Sequence, residues 1–370
     1  MLSALLERIR DFRNRKVSDP AFRRWAARFP LTRPIARRQA GALFDLTAGF
    51  VYSQILSACV RVDLFEVLSH GPLDVSAIAG RTGLPGNGAA RLLKAAAALD
   101  LVEPRSRGRY ALGPLGAALV GNEGVAAMIR HHDILYDDLR DPIALLAGSA
   151  RARLGTYWAY AGGHVVAGEP GRHSDYTALM AASQALVSAE ILDAWPLARH
   201  RRLLDVGGGD GSFLIAAGRT VPHLELVLFD LPPVAAIARQ RFLAAGLAGR
   251  ARAYGGNLFE DRLPENADLV TLNRVLHDHD DSAAMAILRA VRSAIAPDGT
   301  LLVTEPMADT PGAKASGDAY FGFYLLAMGQ GRPRTAGEIA EMLACAGFGD
   351  VRPVATNTPL IARMISARPR

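Results

Sequence analysis

The chain has 370 residues, half of them hydrophobic and about a fifth charged, so it can form two or three domains and is too apolar for a disordered or collagen-like protein. Its two cysteines, Cys59 and Cys345, lie far apart with no motif spacing, which argues against a disulfide framework or a structural zinc site. We expect no apolar run near the roughly 20 residues that a membrane helix needs, and the early charges Glu7 and Arg8 do not fit a secretory signal, so the predicted compartment is the cytoplasm.

Residues 1–40 form a predicted basic arm. Residues 1–38 hold eleven Lys or Arg and three acidic residues, a net charge of +8, whereas the whole chain carries +6. Apolar residues recur through this arm at helical spacing, namely Leu2, Leu5, Leu6, Ile9, Phe12, Phe22, Trp25 and Phe29. The pattern fits a solvated helix face, a helix on an anionic membrane surface, or an interface with a second subunit.

Residues 41–120 show the pattern of a mainly helical winged-helix domain. A long and only mostly apolar stretch over residues 43–68 precedes two predicted helices, which are separated by a turn at Gly83 and Pro85. Two short strands then flank a turn at residues 106–108. This layout predicts a small helical domain that carries a β-hairpin.

A winged helix raises the alternative of DNA binding. Its first helix has Asp74 or Ser76 as the expected N-cap, and its second helix carries only Arg91 and Lys94 among many alanines. Alanine suits close helix packing better than phosphate contacts. We therefore predict a dimerisation domain and no nucleic-acid partner.

The remaining chain divides into connecting helices over residues 121–195, with a loop near residues 161–172, and an α/β domain over residues 196–370. In this last part short apolar runs alternate with helical patterns, which predicts a Rossmann-like parallel sheet covered on both faces. The predicted strands are residues 202–206, 224–229, 267–272 and 300–304. Ligands of such sheets bind at the carboxyl ends of the strands.

A glycine-rich turn, Asp205-Val-Gly-Gly-Gly-Asp-Gly-Ser212, follows the first predicted strand. Gly207, Gly209 and Gly211 permit a sharp turn and a close approach of a ligand to the main chain. The dinucleotide pattern G-x-G-x-x-G needs a glycine where this chain has Ser212. The D-x-G-x-G-x-G form resembles the nucleotide loop of S-adenosylmethionine-dependent methyltransferases.

Two carboxylates accompany this turn. Asp230 ends the second predicted strand, where it can accept hydrogen bonds from ribose hydroxyls or cap the following helix, and the two roles can coexist. Asp205 is expected either to fix the glycine turn or to lie near a positively charged cofactor.

Two histidines, His277 and His279, follow the third predicted strand, close to Asp278, Asp280 and Asp281. A histidine titrates near neutral pH and can act as a general base. The run of acids favours a solvated helix start over metal ligands, and no further ligand is evident elsewhere. The sequence therefore predicts no metal.

Glu305 ends the fourth predicted strand. Because two strand ends of one sheet can face the same cleft, its carboxylate could hold His277 in the tautomer that accepts a proton. The alternative is an ordinary strand-end residue that is hydrogen-bonded to the main chain.

Taken in chain order, these segments resemble the small-molecule O-methyltransferases, typified by plant caffeic acid and flavonoid enzymes and by bacterial tailoring enzymes. The resemblance covers nearly the whole chain and implies S-adenosyl-L-methionine as cofactor, with His277 removing the proton of the acceptor hydroxyl and Glu305 orienting His277. The positions it implies for the cofactor are Asp205, Gly207, Gly209, Gly211, Asp230, Leu231, Asn257, Leu258 and Asn273.

Three positions depart from the family pattern. Asn257 replaces the acid that binds adenine, and Asn273 replaces a lysine that is common in plant members. Pro333 replaces a second glutamate near the base. The departures predict an amide contact to adenine and one carboxylate partner for His277 instead of two.

Residues 25–38 and 43–54 resemble the carotenoid O-methyltransferases of purple phototrophic bacteria. This resemblance implies methylation of the 1-hydroxyl of an acyclic carotenoid, such as demethylspheroidene or hydroxyneurosporene. The alternatives are a phenolic or polyketide acceptor, or a winged-helix DNA-binding regulator that responds to S-adenosylmethionine. The expected partners are a hydrophobic hydroxylated substrate and a second copy of the chain, with the basic arm at a membrane surface as a further option.

Candidate residues for the substrate pocket come from a helix before the Rossmann-like domain and from the segment after Glu305. They are Met180, Ser183, Phe321, Phe323 and Tyr324. Each of them fits a plain core position equally well.

Overall fold

The computed structural model describes residues 2–149, 152–157 and 184–370. The chain forms two compact units, residues 1–120 and 121–370. Met180, Ser183 and the loop predicted near residues 161–172 lie outside the described residues.

The predicted helices of the basic arm are present in the first unit. Residues 1–40 hold α1 (Leu2–Ser18), α2 (Pro20–Arg28) and the start of α3 (Arg33–Arg61), so the predicted end of the arm at residue 40 lies within a helix. The side chain of Asp19 caps α2 by accepting a hydrogen bond from the Ala21 amide at 2.8 Å. Apolar side chains on these helices stand in solvent, including Ile9, Phe12 and Trp25.

Helix α3 corrects one expectation from the sequence. Its length and mean hydropathy of 1.4 are sufficient for a membrane span, and 17% of its most apolar stretch is buried. The sequence contains no unbroken apolar run there because Asp45 and small polar residues interrupt it. Length and composition alone do not distinguish a span from a helix that packs against protein.

The winged-helix layout of the first unit is confirmed. Its helices after α3 are α4 (Leu64–Ser69), α5 (Val75–Thr82), α6 (Gly86–Ala97) and α7 (Pro114–Ala117). In the described residues 2–120, three strands pair antiparallel in the order β1-β3-β2, with β1 at Leu73–Asp74, β2 at Val102–Arg105 and β3 at Arg109–Leu112. Asp74 caps α5, accepting a hydrogen bond from the Ala77 amide at 2.8 Å.

The second unit begins with helices that precede its sheet. These are α8 (Glu123–Asp138), α9 (Pro142–Leu146), α10 (Arg153–Tyr157) and the helical residues 184–194, here α11. The buried carboxylate of Asp138 joins two of them, since it accepts hydrogen bonds from the amides of Arg153 and Leu154 at 2.7 and 2.8 Å.

A mixed sheet forms the core of the second unit. Among the described residues it has seven strands in the order β6-β5-β4-β7-β8-β10-β9. Their bounds are β4 (Arg202–Val206), β5 (Glu225–Asp230), β6 (Ala251–Gly255), β7 (Ala267–Asn273), β8 (Ile295–Glu305), β9 (Phe348–Val354) and β10 (Arg363–Pro369). The first five strands in this order, from β6 through β5, β4 and β7 to β8, are parallel to one another. Strand β10 pairs antiparallel with β8 on one side and with β9 on the other.

Helices cover both faces of this sheet, as predicted. One buried cluster packs α14 (Asp281–Ala294) and α16 (Ala336–Cys345) against it. A second cluster packs α11, α12 (Ser212–Thr220) and α13 (Pro232–Ala244) against the other face. Near the site a π-helical turn, Ala315–Phe321, leads into α15 (Gly322–Met328).

The sequence did not predict β6 or the antiparallel edge. Strand β6 lies at the edge of the sheet, where exposed Arg252 and Tyr254 alternate with buried alanines. An edge strand buries half of its side chains and therefore lacks the continuous apolar run of a central strand.

The strand order reverses at β4, which places a crevice above its carboxyl end. After β4 the chain builds β5 and β6 on one side, and it then returns to build β7 and β8 on the other side. Ligands of open α/β sheets bind in the crevice at such a switch point.

Candidate active site

The glycine-rich turn follows β4 and has the conformation that its sequence predicts. Gly207, Gly209 and Gly211 have φ angles of +69°, +60° and +80°, which L side chains rarely adopt. A Cβ on Gly207 would lie 2.8 Å from Val275, and one on Gly211 would lie 2.6 Å from Phe242. The turn is therefore compatible only with glycine at both positions.

Asp205 lies buried beneath this turn. Its Oδ1 accepts hydrogen bonds from Thr271 Oγ1 at 2.7 Å and from Asn273 Nδ2 at 3.0 Å, which ties β4 to β7. A Cβ on Gly208 would lie 2.6 Å from Asp205 Oδ2. Burial, opposed by these hydrogen bonds, raises the pKa of Asp205 to about 7.

Asp230 holds the turn from β5. Its Oδ2 accepts a hydrogen bond from the Gly209 amide at 2.8 Å, and its Oδ1 accepts one from the Leu231 amide at 2.7 Å. Burial raises the pKa of Asp230 to about 6, although both hydrogen bonds oppose the shift. Helix α13 starts after Leu231 with no side-chain cap, so Asp230 supports the glycine turn rather than that helix.

Asn257 and Leu258 follow β6 at the same edge of the sheet. Asn257 Oδ1 accepts a hydrogen bond from the main-chain amide of Phe259 at 3.0 Å. The main-chain amide of Asn257 donates a hydrogen bond to Asp261 Oδ2 at 2.8 Å. The side-chain oxygen of Asn257 is thus engaged in a local turn. Leu258 packs on the core cluster between the sheet and α14. Asp261 was not predicted, since nothing in its spacing marks it.

His277 lies between two carboxylates, in a 3₁₀ turn over Leu276–Asp278. Its Nδ1 is 2.6 Å from Glu305 Oε2, and its Nε2 is 3.0 Å from Asp278 Oδ1. The prediction of one carboxylate partner is therefore wrong. The prediction of a solvated acidic run is also wrong for Asp278, which is buried, because the tight turn directs this side chain back onto the imidazole.

Glu305 contacts both the imidazole of His277 and the main chain of the turn that carries it. Its Oε2 faces His277, while its Oε1 accepts hydrogen bonds from the amides of Val275 and Leu276 at 3.1 and 2.8 Å. Arg274, just before them, has a φ of +56°, and this left-handed residue turns the chain so that both amides point at β8.

The surroundings of His277 favour the imidazolium. Burial lowers its pKa, but the negative charges of Asp278 and Glu305 raise it by more, to about 10. Burial also lowers the pKa of the neighbouring His279. The two flanking carboxylates therefore favour the protonated form of the candidate base.

Aromatic side chains lie beside His277. The Phe321 ring stacks on the imidazole with 6.1 Å between centroids, and it contacts the rings of Tyr320 and Tyr324. Phe323 points to solvent. The structure thus brings Phe321 and Tyr324 close to the candidate base and leaves Phe323 outside.

Two histidines of α8 hold these tyrosines, and the sequence analysis missed them. His131 Nε2 lies 3.1 Å from the Tyr324 hydroxyl, and His132 Nε2 lies 2.7 Å from the Tyr320 hydroxyl. Burial lowers the pKa of His131 to about 4, and it lowers that of His132. The pair of adjacent histidines in a helical segment was the available signal, but only the fold brings them to residues about 190 positions away.

The carboxyl edge of the sheet thus combines two kinds of side chain. Buried Asp205 and half-buried Asp230, both with raised pKa values, suit a ligand with hydroxyl donors and a positive charge. Asp205 Oδ2 and Asn273 Oδ1 have no hydrogen-bond partner among the described residues. Within the same part of the chain, no group of three His, Cys, Asp or Glu side chains is arranged to hold a metal ion.

Two family models match the chain. An O-methyltransferase domain matches residues 138–349, and an O-methyltransferase dimerisation domain matches residues 44–122. The first covers more than half of the chain and contains the glycine turn, His277 and Glu305.

Curated relatives match over nearly the full length. The chain is 42% identical to a demethylspheroidene O-methyltransferase of Cereibacter sphaeroides, over 92% of this chain and 90% of the relative. It is 40% identical to the protein of the same name from Rhodobacter capsulatus, over 92% and 85% of the two chains. Among solved structures, CalO1, a methyltransferase of calicheamicin biosynthesis in its SAH-bound form, aligns with a TM-score of 0.76 at 27% identity, over 90% of this chain and 98% of that one.

The charge state of His277 can be tested by nuclear magnetic resonance on protein labelled with ¹³C-histidine. We expect the His277 ring signal to stay in its protonated position from pH 6 to 8, because two carboxylates flank the ring. Asp278→Asn should lower its pKa by about one to three pH units, since one of the two opposite charges is lost.

Asp280→Asn provides the matched control. Asp280 is exposed and caps α14, and asparagine caps helices equally well, so the His277 signal should not change. Titration of wild-type His277 between pH 6 and 8 would contradict this account of the site.

Proposed function

Because the chain belongs to the O-methyltransferase family, we propose that it transfers a methyl group from S-adenosylmethionine to the 1-hydroxyl of an acyclic carotenoid. Demethylspheroidene and hydroxyneurosporene are the acceptors that we favour. The observation that carries this choice is the 42% identity, over 92% of the chain, to a demethylspheroidene O-methyltransferase.

The residues around the glycine turn fit the cofactor. Asp205 Oδ2 and Asn273 Oδ1 have no hydrogen-bond partner among the described residues, and at Gly209 the turn borders open space, with no atom within 4 Å of the position of a Cβ. We assign the nucleoside part to Asp230, Leu231, Asn257 and Leu258, and the glycine turn with Asp205 and Asn273 to the rest of the cofactor. S-adenosylmethionine supplies a methyl group that is electrophilic because it is bonded to a sulfonium.

His277 is the proposed general base. As the acceptor oxygen bonds to the methyl carbon and the carbon–sulfur bond breaks, the hydroxyl proton passes to His277 Nε2. Glu305 faces Nδ1 and therefore keeps Nε2 directed at the acceptor. A tertiary alcohol is much less acidic than a phenol, so general-base assistance, typically about 10²–10⁴-fold, matters more here than for a phenol.

The two carboxylates have separate consequences for this base. Asp278 lies on Nε2, the atom that has to receive the proton, so its carboxylate has to give way to the acceptor hydroxyl. The protonated form of His277 that these carboxylates favour has to release its Nε2 proton to solvent before Nε2 can accept the proton of the hydroxyl. After the transfer, both carboxylates stabilise the imidazolium that forms.

An apolar acceptor fits the side chains near His277. The acceptor hydroxyl has to reach Nε2, next to the Phe321 ring, and we assign Phe321 and Tyr324 to the pocket wall. The Tyr324 hydroxyl is bonded to His131, so this wall presents aromatic surface. Met180 and Ser183 are proposed to complete the pocket.

The dimerisation domain over residues 44–122 supports a homodimer. It includes exposed apolar residues of α3, such as Phe44, Leu46 and Phe50, and we assign this face to the second subunit.

The basic arm precedes the matched dimerisation domain, and we assign it to an anionic membrane surface on the cytoplasmic side. It combines a net charge of +8 with exposed apolar side chains, the two features of helices that lie in a lipid interface. A carotenoid dissolves in lipid, so an enzyme held at a bilayer meets a higher concentration of its substrate.

The proposed reaction is tested by incubating the protein with S-adenosylmethionine and 1-hydroxyneurosporene in detergent, followed by mass spectrometry. We expect the carotenoid to gain one methyl group on its hydroxyl. His277→Ala should lower turnover by about 10²–10⁴-fold because the base is lost, while calorimetry shows unchanged affinity for S-adenosylmethionine.

The outcomes separate the parts of the proposal. If the wild type binds the cofactor but leaves the carotenoid unchanged, the carotenoid assignment is wrong, and phenolic and polyketide acceptors are tested next. If His277→Ala keeps normal turnover, another group is the base.

Cofactor binding should depend on Asp230. Asp230→Ala removes a charged hydrogen-bond acceptor, so we expect affinity for S-adenosylmethionine to fall by about 10–100-fold in titration calorimetry. The matched control is Asp268→Ala, at the amino end of β7, where the carboxylate accepts hydrogen bonds from the Arg201 and Arg202 amides. Equal loss in both variants would show a general effect of destabilising the sheet.

Membrane binding by the arm is tested by sedimentation with phosphatidylglycerol and phosphatidylcholine vesicles. We expect the protein to bind the anionic phosphatidylglycerol vesicles only, and salt should weaken this binding. The double variant Ile9→Asn and Phe12→Asn should lower the vesicle affinity at least tenfold, since both side chains are more than half exposed. The control Ile143→Asn alters an exposed apolar residue of α9. If the arm variant instead converts the dimer to a monomer, the arm belongs to the subunit interface.

A further inference from the structure

The segment Gly331–Arg334 holds the main chain around the candidate base. The Arg334 guanidinium donates to the Leu276 carbonyl at 2.6 Å and to the His279 carbonyl at 2.8 Å. The Arg332 amide donates to the His277 carbonyl at 2.9 Å. Three carbonyls of the 276–279 turn are therefore bound by one short segment.

The position of Arg334 suits this task. Its side chain is 1% exposed, and its charge is balanced by Asp281, whose Oδ1 lies 2.8 Å from Nη2. A guanidinium carries five donors in one rigid plane. It can thus bond two carbonyls and a carboxylate together, whereas a lysine ammonium at the same place cannot reproduce that arrangement.

The same segment also binds the strand that carries Glu305. The Ala308 amide, three residues beyond Glu305, donates to the Arg334 carbonyl at 2.9 Å. A Cβ on Gly331 would lie 2.2 Å from the His277 carbonyl oxygen, so the segment is packed directly on the base. Arg334 consequently fixes the turn of His277 with respect to the end of β8.

Glu305 holds this turn by its amides, and Arg334 holds it by its carbonyls. The separation of His277 Nδ1 and Glu305 Oε2, 2.6 Å, depends on both restraints because the turn is neither a strand nor a long helix. We propose that Arg334 is a positioning residue for the reaction, which acts through the main chain of Leu276 and His279 to orient His277. This inference rests on the proposed function.

The test compares Arg334→Lys with Arg250→Lys. Arg250 is a partly buried arginine that, like buried Arg334, bonds main-chain carbonyls, here those of Gly218 and Leu224. It lies before β6, at the amino end of the strands. Both variants keep the positive charge and lose the planar guanidinium. A loss of stability alone would affect them equally.

We expect Arg334→Lys to lower kcat by about 10–100-fold, since a displacement near 1 Å at a reacting group has an effect of this order. Affinity for S-adenosylmethionine should stay within about twofold. The ¹³C signal and pKa of His277 should shift in Arg334→Lys and stay unchanged in Arg250→Lys. Arg250→Lys should keep wild-type kcat.

The nuclear magnetic resonance measurement needs no acceptor, so it remains decisive if the carotenoid proves to be the wrong substrate. If Arg334→Lys does not fold, Asp281→Asn is used instead, because it removes the exposed carboxylate that pairs with the Arg334 guanidinium. This variant should also shift the ¹³C signal of His277 away from its wild-type position. Normal kcat with an unchanged His277 signal in folded Arg334→Lys would overturn the inference. So would a parallel loss of kcat and cofactor affinity.

Discussion

The carboxylate of Glu305 is the contact on which the candidate active site depends. One oxygen accepts hydrogen bonds from the Val275 and Leu276 amides, and the other lies 2.6 Å from His277 Nδ1. A buried carboxylate is costly unless it is paired and hydrogen-bonded, and here Oε1 accepts two amide hydrogen bonds while Oε2 is paired with His277 by charge. The same group therefore folds the turn after β7 and orients the imidazole that this turn carries.

The position of this contact follows from the order of the strands. Strand β4 lies at the point where the order reverses, with β5 on one side and β7 and β8 on the other. The glycine turn and Asp230 belong to the first side, and His277 and Glu305 belong to the second. Parallel strands place all these groups at one edge of the sheet, so that a methyl donor and an acceptor hydroxyl can meet there.

Prediction from the sequence succeeded where the signal was local and failed where it was not. The glycine turn and the central strands were predicted, and the cap at Asp74 was one of two candidates, because spacing and residue type decide such features. The carboxylate of Asp278 was assigned to solvent, since its neighbours in the sequence are acidic. Because Pro333 replaces the second glutamate of the family, only one carboxylate partner was predicted for His277, whereas Asp278 is the second. Edge strand β6 was missed because it lacks a continuous apolar run, and the membrane-span length of α3 was missed because small polar residues interrupt it.

By itself, the sequence determined a basic apolar arm, a winged-helix region and a Rossmann-like domain with the glycine turn, because the period of apolar residues and the special backbone of glycine are local properties. It also marked His277 and Glu305 as candidates, because each follows a predicted strand. Only the tertiary structure decided that Asp278 faces the imidazole, that Arg334 binds the turn around it, and that His131 and His132 hold the two tyrosines. These contacts join residues on separate elements or depend on the angle of a single turn. They are fixed when burial forces each polar group to find a partner in space, and residue spacing along the chain does not contain that information.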